Sequence, residues 1–258
     1  MLTPQILRFE SLPSTNVEAA RQAGQGAPEG LCIIAGEQTA GRGRLERQWI
    51  SPKGAGLYFS IVLRPQFEQS LWPLLTLMAA VAVRDALLDA YALEADIKWP
   101  NDLLVNERKL CGILAETVET PTGRAVVLGI GVNLKHGSFP VELEGVATSV
   151  ESATGGVPDL EIIIEPLVGS LVRYYEILQL AAGPEVIVRE WSARSSYANG
   201  KRIRIANGDE ILEGTSRGLE RDGALRIETD SGEIKVLRTG DVMNVRPSPE
   251  ARSSEFNL

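Results

Sequence analysis

The chain has 258 residues, 44% hydrophobic and 23% charged, with a formal net charge of −8. That length allows one large domain or two unequal ones around a real core. The acidic balance excludes general affinity for nucleic acid or an anionic membrane, so any bound anion must be held by local positive charge.

The first residues, MLTPQILRFESLPSTN, lack a basic region followed by an apolar run, so they do not read as a signal peptide. Ser14-Thr15-Asn16 before VEAARQA has the form of a helix N-cap. Residues 31–35 (LCIIA) and 57–63 (LYFSIVL) are rich in strand formers. Residues 71–93 carry apolar residues at helical spacing and predict a helix packed on a sheet; their uncharged run is too short to span a bilayer. Residues 95–99 predict a strand stopped by Pro100. Residues 102–105 and 109–117 predict a hairpin around Asn106-Glu107-Arg108. Residues 125–132 predict a buried strand, and two helices follow over about 160–182 and 184–196. From Gly200 the pattern changes to short alternating segments separated by Asn207-Gly208, Asp222-Gly223 and Ser231-Gly232, which suggests a small β-barrel. The expected organisation is a domain over 1–197, a barrel over 198–247 and a disordered tail over 248–258. The first domain mixes strands that are not all helix-separated with a few helices, so the class is α+β with a mixed sheet. The two cysteines, Cys32 and Cys111, lie in apolar runs without metal-type spacing and read as reduced and buried. A soluble, cytoplasmic protein is expected.

Five stretches carry chemistry. GRGRLERQW, 41–49, puts Arg42, Arg44 and Arg47 on a glycine-rich loop after a strand. Such a loop can turn backbone N–H groups toward an anion, and arginine adds a fork that matches phosphate or carboxylate oxygens. There is no G-x-x-x-x-G-K-[ST], so it is not a Walker-type loop, and a solvated surface loop would read the same way. IKWPNDLL, 97–104, sets Lys98 at a strand end with Asn101 and Asp102 next; a lysine there can neutralise an anion, and Asp102 can hold Mg²⁺ or a hydroxyl. A plain turn would also use Asn-Asp. ERKLCGILAE, 107–116, opens a strand at Lys109. GIGVN, 129–133, lets a flat ligand approach, and Asn133 suits an adenine edge. The fifth is Ser14-Thr15-Asn16, whose cap can also aim N–H groups at a ligand. The single histidine, His136, leaves no Ser-His-Asp or Cys-His arrangement, so chemistry here rests on placed charge.

In this order, PSTN, EQTAGRGRLERQW, IKWPNDLL, RKLCGILAE and GIGVN resemble the biotin protein ligases, densely over residues 8–134 and more loosely through REWSARSS and the barrel to about residue 246. In the family's loop pattern GRGR-x-G the last position is glycine, where this chain has Glu46. Some members of the family carry an N-terminal DNA-binding helix-turn-helix; Ser14 lies too near the start for one, so the resemblance implies a ligase without a repressor function. The implied fold is the biotin/lipoate ligase catalytic fold, similar to class II aminoacyl-tRNA synthetase catalytic domains, with a C-terminal SH3-like barrel.

The implied reaction activates biotin with ATP to biotinyl-5′-AMP and pyrophosphate. Biotin then passes to a lysine of the apo biotin carboxyl carrier protein of acetyl-CoA carboxylase. By the resemblance, Ser14, Thr15, Asn16, Gln38, Gly41, Arg42, Gly43, Arg44, Lys109 and Gly112 hold biotin. Arg42, Arg44, Arg47, Trp49, Lys98, Asn101 and Asn133 hold ATP or the adenylate, and Arg44, Lys98, Asp102 and Lys109 act in catalysis. No tightly bound cofactor is implied; Mg²⁺ accompanies ATP, with Asp102 as its one candidate protein ligand. Neither DNA nor membrane is an expected partner, and the oligomeric state stays open, a homodimer included. Three rival readings are a lipoate or octanoate ligase or transferase, a non-catalytic nucleotide-binding regulator, and an RNA-binding protein using KRIRI of the barrel.

Overall fold

The computed structural model describes residues 2–207 and 210–244; the expected tail, 248–258, lies outside them. A seven-stranded sheet has the order β1-β2-β3-β7-β6-β5-β4. Strands β1 (Gln5–Phe9) and β2 (Leu31–Ala35) are parallel, joined by the crossover helix α1 (Thr15–Gly24). The other pairings are antiparallel: β3 (Gly56–Leu63), β7 (Gly123–Asn133), β6 (Arg108–Thr120), β5 (Asp102–Val105) and β4 (Asp96–Lys98). The sheet is therefore mixed, as the sequence predicts.

The two faces follow from the period of two along each strand. On β3, Leu57, Phe59, Ile61 and Leu63 join the large core under α2 (Leu74–Tyr91), α4 (Leu160–Leu178) and α5 (Gly183–Ala193). Val62, with Leu31 and Ile33 of β2 and Ala125 and Val127 of β7, faces α1 through Ala19 and Ala23. The small alanines let α1 lie close to the sheet. Helix α2 is buried almost all round, and Asp85 on it ties the helices together: Tyr174 Oη donates to it at 2.6 Å, and Arg173 and Arg194 pair with it at 3.0 Å.

Several elements differ from the sequence expectation. Strand β1, the short helix α3 (Val150–Thr154) and the 3-10 turns at Gln69–Leu71 and Val141–Leu143 carry no signal strong enough to predict them. Helix α2 ends where Ala92 turns left-handed at φ 49°. The hairpin between β5 and β6 turns on two residues, Asn106 and Glu107, both at positive φ, so Arg108 already belongs to β6.

The C-terminal strands β8 (Asn199–Asn207), β9 (Glu210–Leu219), β10 (Leu225–Glu228), β11 (Ile234–Leu237) and β12 (Asp241–Asn244) form a separate antiparallel sheet, order β11-β10-β9-β8-β12. Gly223 and Gly232 take positive φ at two of the expected turns; Gly208 of the third pair lies outside the described residues. This sheet is seated firmly on the first. Ile203, Ile205, Leu225, Ile227 and Val242 belong to the same apolar cluster as α2. Trp99, 2% exposed, donates its indole N–H to the Gly223 carbonyl at 3.0 Å.

Both cysteines are buried. Burial pushes the Cys32 thiol up to about 12 and the Cys111 thiol higher still, so neither is a nucleophile. Among the described residues, no helix is long and apolar enough to cross a membrane. Trp99→Phe leaves the Gly223 carbonyl without its donor and gives up part of the indole's buried volume. It should cost about 1–3 kcal/mol, read as a fall in melting temperature of roughly 2–10 °C; an unchanged melting temperature would show that the indole hydrogen bond does not hold the C-terminal sheet in place.

Candidate active site

One cavity gathers most of the expected residues, at the end of the sheet where β3, β5, β6 and β7 meet the arginine loop. At one extreme lie Ser14, Thr15, Asn16 and Gln38. Ser14 takes the N-cap position of α1, but its hydroxyl makes no capping bond. Gln38 does that work: its Oε1 accepts from the Thr15 backbone N–H at 2.8 Å and the Thr15 hydroxyl at 3.1 Å, while its Nε2 donates to Ser51 at 2.8 Å. The helix cap read from the sequence is thus supplied from another loop, and Ser14 is a lining residue of the cavity. Ser60, fully buried on β3, donates within reach of Thr15 Oγ1 (2.7 Å) and Asn16 Oδ1 (2.6 Å). Asn16 Nδ2 donates to Glu116 at 2.8 Å and to the Leu114 carbonyl at 3.3 Å. This end is a rigid polar slot, suited to a neutral ligand with both donors and acceptors.

The floor is bare backbone. Gly112 and Gly131 are cross-strand partners, and Gly129 pairs with Leu114 beside them. A Cβ on Gly129 would lie 2.1 Å from Asn16 Oδ1; one on Gly131 would lie 2.5 Å from Trp49 Nε1; one on Gly112 would lie 2.9 Å from Trp49 Cζ3. At the last two the flat group admitted is the chain's own indole. Trp49 therefore anchors the loop, and Lys109 Nζ sits 5.5 Å from its ring centroid.

The loop over this floor is a small hairpin. Trp49 N–H donates to Gly41 O (3.0 Å), Gly43 N–H to Arg47 O (2.7 Å) and Arg47 N–H to Arg44 O (3.1 Å). Its tip, Leu45 and Glu46, has φ of 53° and 60°. That geometry favours Asn-Gly, and neither residue here is glycine. Gly41 does not line the cavity; a Cβ there would meet the Trp49 carbonyl at 2.2 Å, so its role is to let the loop leave. Arg42 pairs with Glu116 at 3.0 Å. Arg44 Nη1 donates to Asn101 Oδ1 at 3.1 Å, and Arg47 pairs with Asp241 of β12. Glu46 is exposed on the outer side of the loop and is not among the cavity residues, so its carboxylate does not face the anion site.

Beyond the loop, Asp102 stands between two lysines: Lys109 Nζ at 2.7 Å and Lys98 Nζ at 3.6 Å. Lys98 does not line the cavity and reaches it only through Asp102. The Asp102 carboxylate holds Lys109; among the described residues, no group of three or more His, Cys, Asp or Glu is arranged to hold a metal. Asn101 is fixed by its donation to the Ile113 carbonyl at 2.9 Å. Asn133 Nδ2 donates to the Thr148 carbonyl at 3.0 Å, which ties β7 to the segment before α3 and leaves Oδ1 as its polar face. That segment closes the other end of the cavity with Phe139, Leu143, Val146 and Ala147, an apolar slot. His136 is outside the cavity, near Ser152.

Sequence reasoning missed Ser60, Glu116, Asp241 and the apolar segment. Ser60 had a signal, a lone hydroxyl inside LYFSIVL, since a buried polar group needs a partner. The segment 138–147 and Asp241 had none.

The strain at the tip can be measured. Glu46→Gly removes one left-handed non-glycine residue, which costs roughly 1–2 kcal/mol. Hydrogen exchange of the Gly43 and Arg47 amides, which close the hairpin, should slow about fivefold or more; faster exchange would show that the tip is not strained.

Comparison with known proteins agrees with this geometry. Residues 8–133 match the model of the biotin/lipoate A/B protein ligase family, and residues 199–243 match the biotin protein ligase C-terminal domain. The chain is 37% identical over 244 residues to the bifunctional ligase/repressor BirA of Bacillus subtilis, covering 92% of this chain and 73% of that protein. It is 37% identical over 227 residues to the biotin–[acetyl-CoA-carboxylase] ligase of Paracoccus denitrificans, covering 85% of this chain and 92% of that one. The biotin protein ligase of Aquifex aeolicus in complex with biotin and ATP superposes with a TM-score of 0.80 at 27% identity, over 93% of this chain and 98% of that one. With the sheet, the cavity and both matched regions in agreement, the chain belongs to the biotin protein ligase family.

Proposed function

We propose that this chain couples biotin to a carrier protein in two steps, through biotinyl-5′-AMP. The observation that carries the reading is the order of chemistries along one cavity. Along β7, a neutral polar slot beside Gly129 (Ser14, Thr15, Asn16, Gln38) leads to a cationic middle beside Gly131 and its partner Gly112 (Lys109, with Arg44) and on to an apolar slot by Asn133 (Phe139, Leu143, Val146, Ala147). An acid with a polar ring head, a phosphate and a purine need those surroundings in that sequence.

In the first step the ionised carboxylate of biotin attacks the α-phosphorus of ATP and pyrophosphate leaves, so no strong base is required. Catalysis is alignment plus neutralisation of the phosphoryl oxygens. Lys109, held by Asp102, and Arg44, held by Asn101, supply that charge at fixed positions. Mg²⁺ arrives with ATP. Lys98 supports the reaction indirectly, by sharing Asp102 with Lys109. The arginine hairpin covers the mixed anhydride and keeps water from it. In the second step the neutral amine of a carrier lysine attacks the acyl carbon and AMP leaves. The Paracoccus relative's name supports the biotin carboxyl carrier protein of acetyl-CoA carboxylase as acceptor.

The test is pyrophosphate release from ATP and Mg²⁺ with biotin, with lipoate and with no acid, followed by labelling of an apo carrier domain. Release only with biotin, and a biotinylated carrier, is the expected result; release with lipoate alone would move the chain to the lipoate branch. Lys109→Ala should slow pyrophosphate release about 10²–10³-fold with little change in melting temperature, and a normal rate would remove it from the chemistry. Arg44→Ala should remain folded yet lose the adenylate to solvent; unchanged retention would end the covering role given to the loop.

A further inference from the structure

The two arginines farthest along the loop are held from the C-terminal domain. Asp241 opens the edge strand β12, and its carboxylate pairs with Arg47 and lies 3.7 Å from Arg44 Nη1. The carbonyl of the preceding Gly240 is 3.4 Å from the same Nη1. Asp241 is itself a cavity residue. The hairpin has little else to hold its far side. Its tip is strained, its near side is tied by Arg42 to Glu116, and Trp49 fastens only its base.

We propose that Asp241 is a positioning residue for the arginine loop: the C-terminal domain uses it to keep Arg44 and Arg47 turned in over the cavity. Two features make it a support rather than a competitor of phosphate. The hydrogen bonds of Arg44 to Asn101 and Gly240 both leave from Nη1, and Asp241 approaches that same atom, so these contacts do not call on Nε. The carboxylate also screens two guanidiniums that would otherwise repel each other and swing into water. A neutral or absent side chain at 241 would free Arg47 and leave Arg44 held only by Asn101 and the Gly240 carbonyl.

The test compares Asp241→Asn, which keeps the shape and removes the charge, with Asp241→Glu, which keeps the charge. Trypsin cleavage after Arg44 and Arg47 is followed by mass spectrometry in the ligand-free protein, and KM is measured separately for ATP and biotin. Asp241→Asn should be cut in the loop about fivefold faster, because cleavage tracks the open population. Its KM for ATP should rise about fivefold while its KM for biotin stays within twofold, with its melting temperature near that of the wild type. Asp241→Glu should lie closer to wild type in both. Unchanged cleavage and unchanged KM in Asp241→Asn overturn the proposal, and so does a lower KM for ATP, which would make the carboxylate a competitor. Cleavage spread through the C-terminal domain with a fallen melting temperature also overturns it, since the residue would then only hold that domain together. The kinetic arm rests on the function proposed above, whereas the proteolysis arm needs no turnover. A chain that never released pyrophosphate but lost its loop protection in Asp241→Asn would sink the function and leave the clasp standing.

Discussion

The site depends on a strip of β-sheet that carries no side chains. Gly112, Gly129 and Gly131 lie together on β6 and β7, on the face toward α1. With no Cβ there, the Asn16 amide rests directly on one strand and the Trp49 indole on two. Methyl groups at these positions would meet those side chains at 2.9 Å or less, so the side chains would have to shift. The polar slot and the arginine loop thus both take their positions from the same backbone surface, and the sheet transmits its precision to groups that ride on a helix end and a loop hairpin.

The chain's charge balance is resolved at the same place. An acidic protein builds a cationic cavity by pairing the four cations that line it, and Lys98 behind them, with carboxylates in and beside it. Glu116 holds Arg42, Asp102 holds Lys98 and Lys109, and Asp241 holds Arg44 and Arg47. Five positive groups meet three carboxylates, which leaves a local excess of positive charge with each side chain restrained. The carboxylates come from three elements, β5, β6 and β12, so the field in the cavity depends on the sheet and on the C-terminal domain alike.

Much of this was legible in the sequence because the motifs are local. The strand at 31–35, the GRGR loop, the lysine at the end of β4 and the glycines of β7 each follow from a few adjacent residues. The mixed sheet followed from strands not separated by helices. The features that escaped are those settled by distant partners. Gln38 caps α1 across 23 residues of chain, a relation no cap pattern records. Gly131 reads as room for a ligand, and the group that fills the room is Trp49. Phe139, Leu143, Val146 and Ala147 are ordinary apolar residues until Asn133 draws their segment over the cavity. Asp241 reads only as the first residue of a short alternating segment until the C-terminal sheet docks.

The position of Trp49 has a practical side. The chain holds four tryptophans. Trp99 and Trp191 are fully buried in the core, in surroundings that stay constant while the protein is folded, and Trp72 is half-buried beside α2. Only Trp49 lines the cavity, with a lysine near its ring and bare sheet beneath it. Its surroundings change with the loop it fastens, whereas those of Trp99 and Trp191 do not. The protein therefore contains a built-in optical reporter of its own arginine hairpin, which reads the loop without a label.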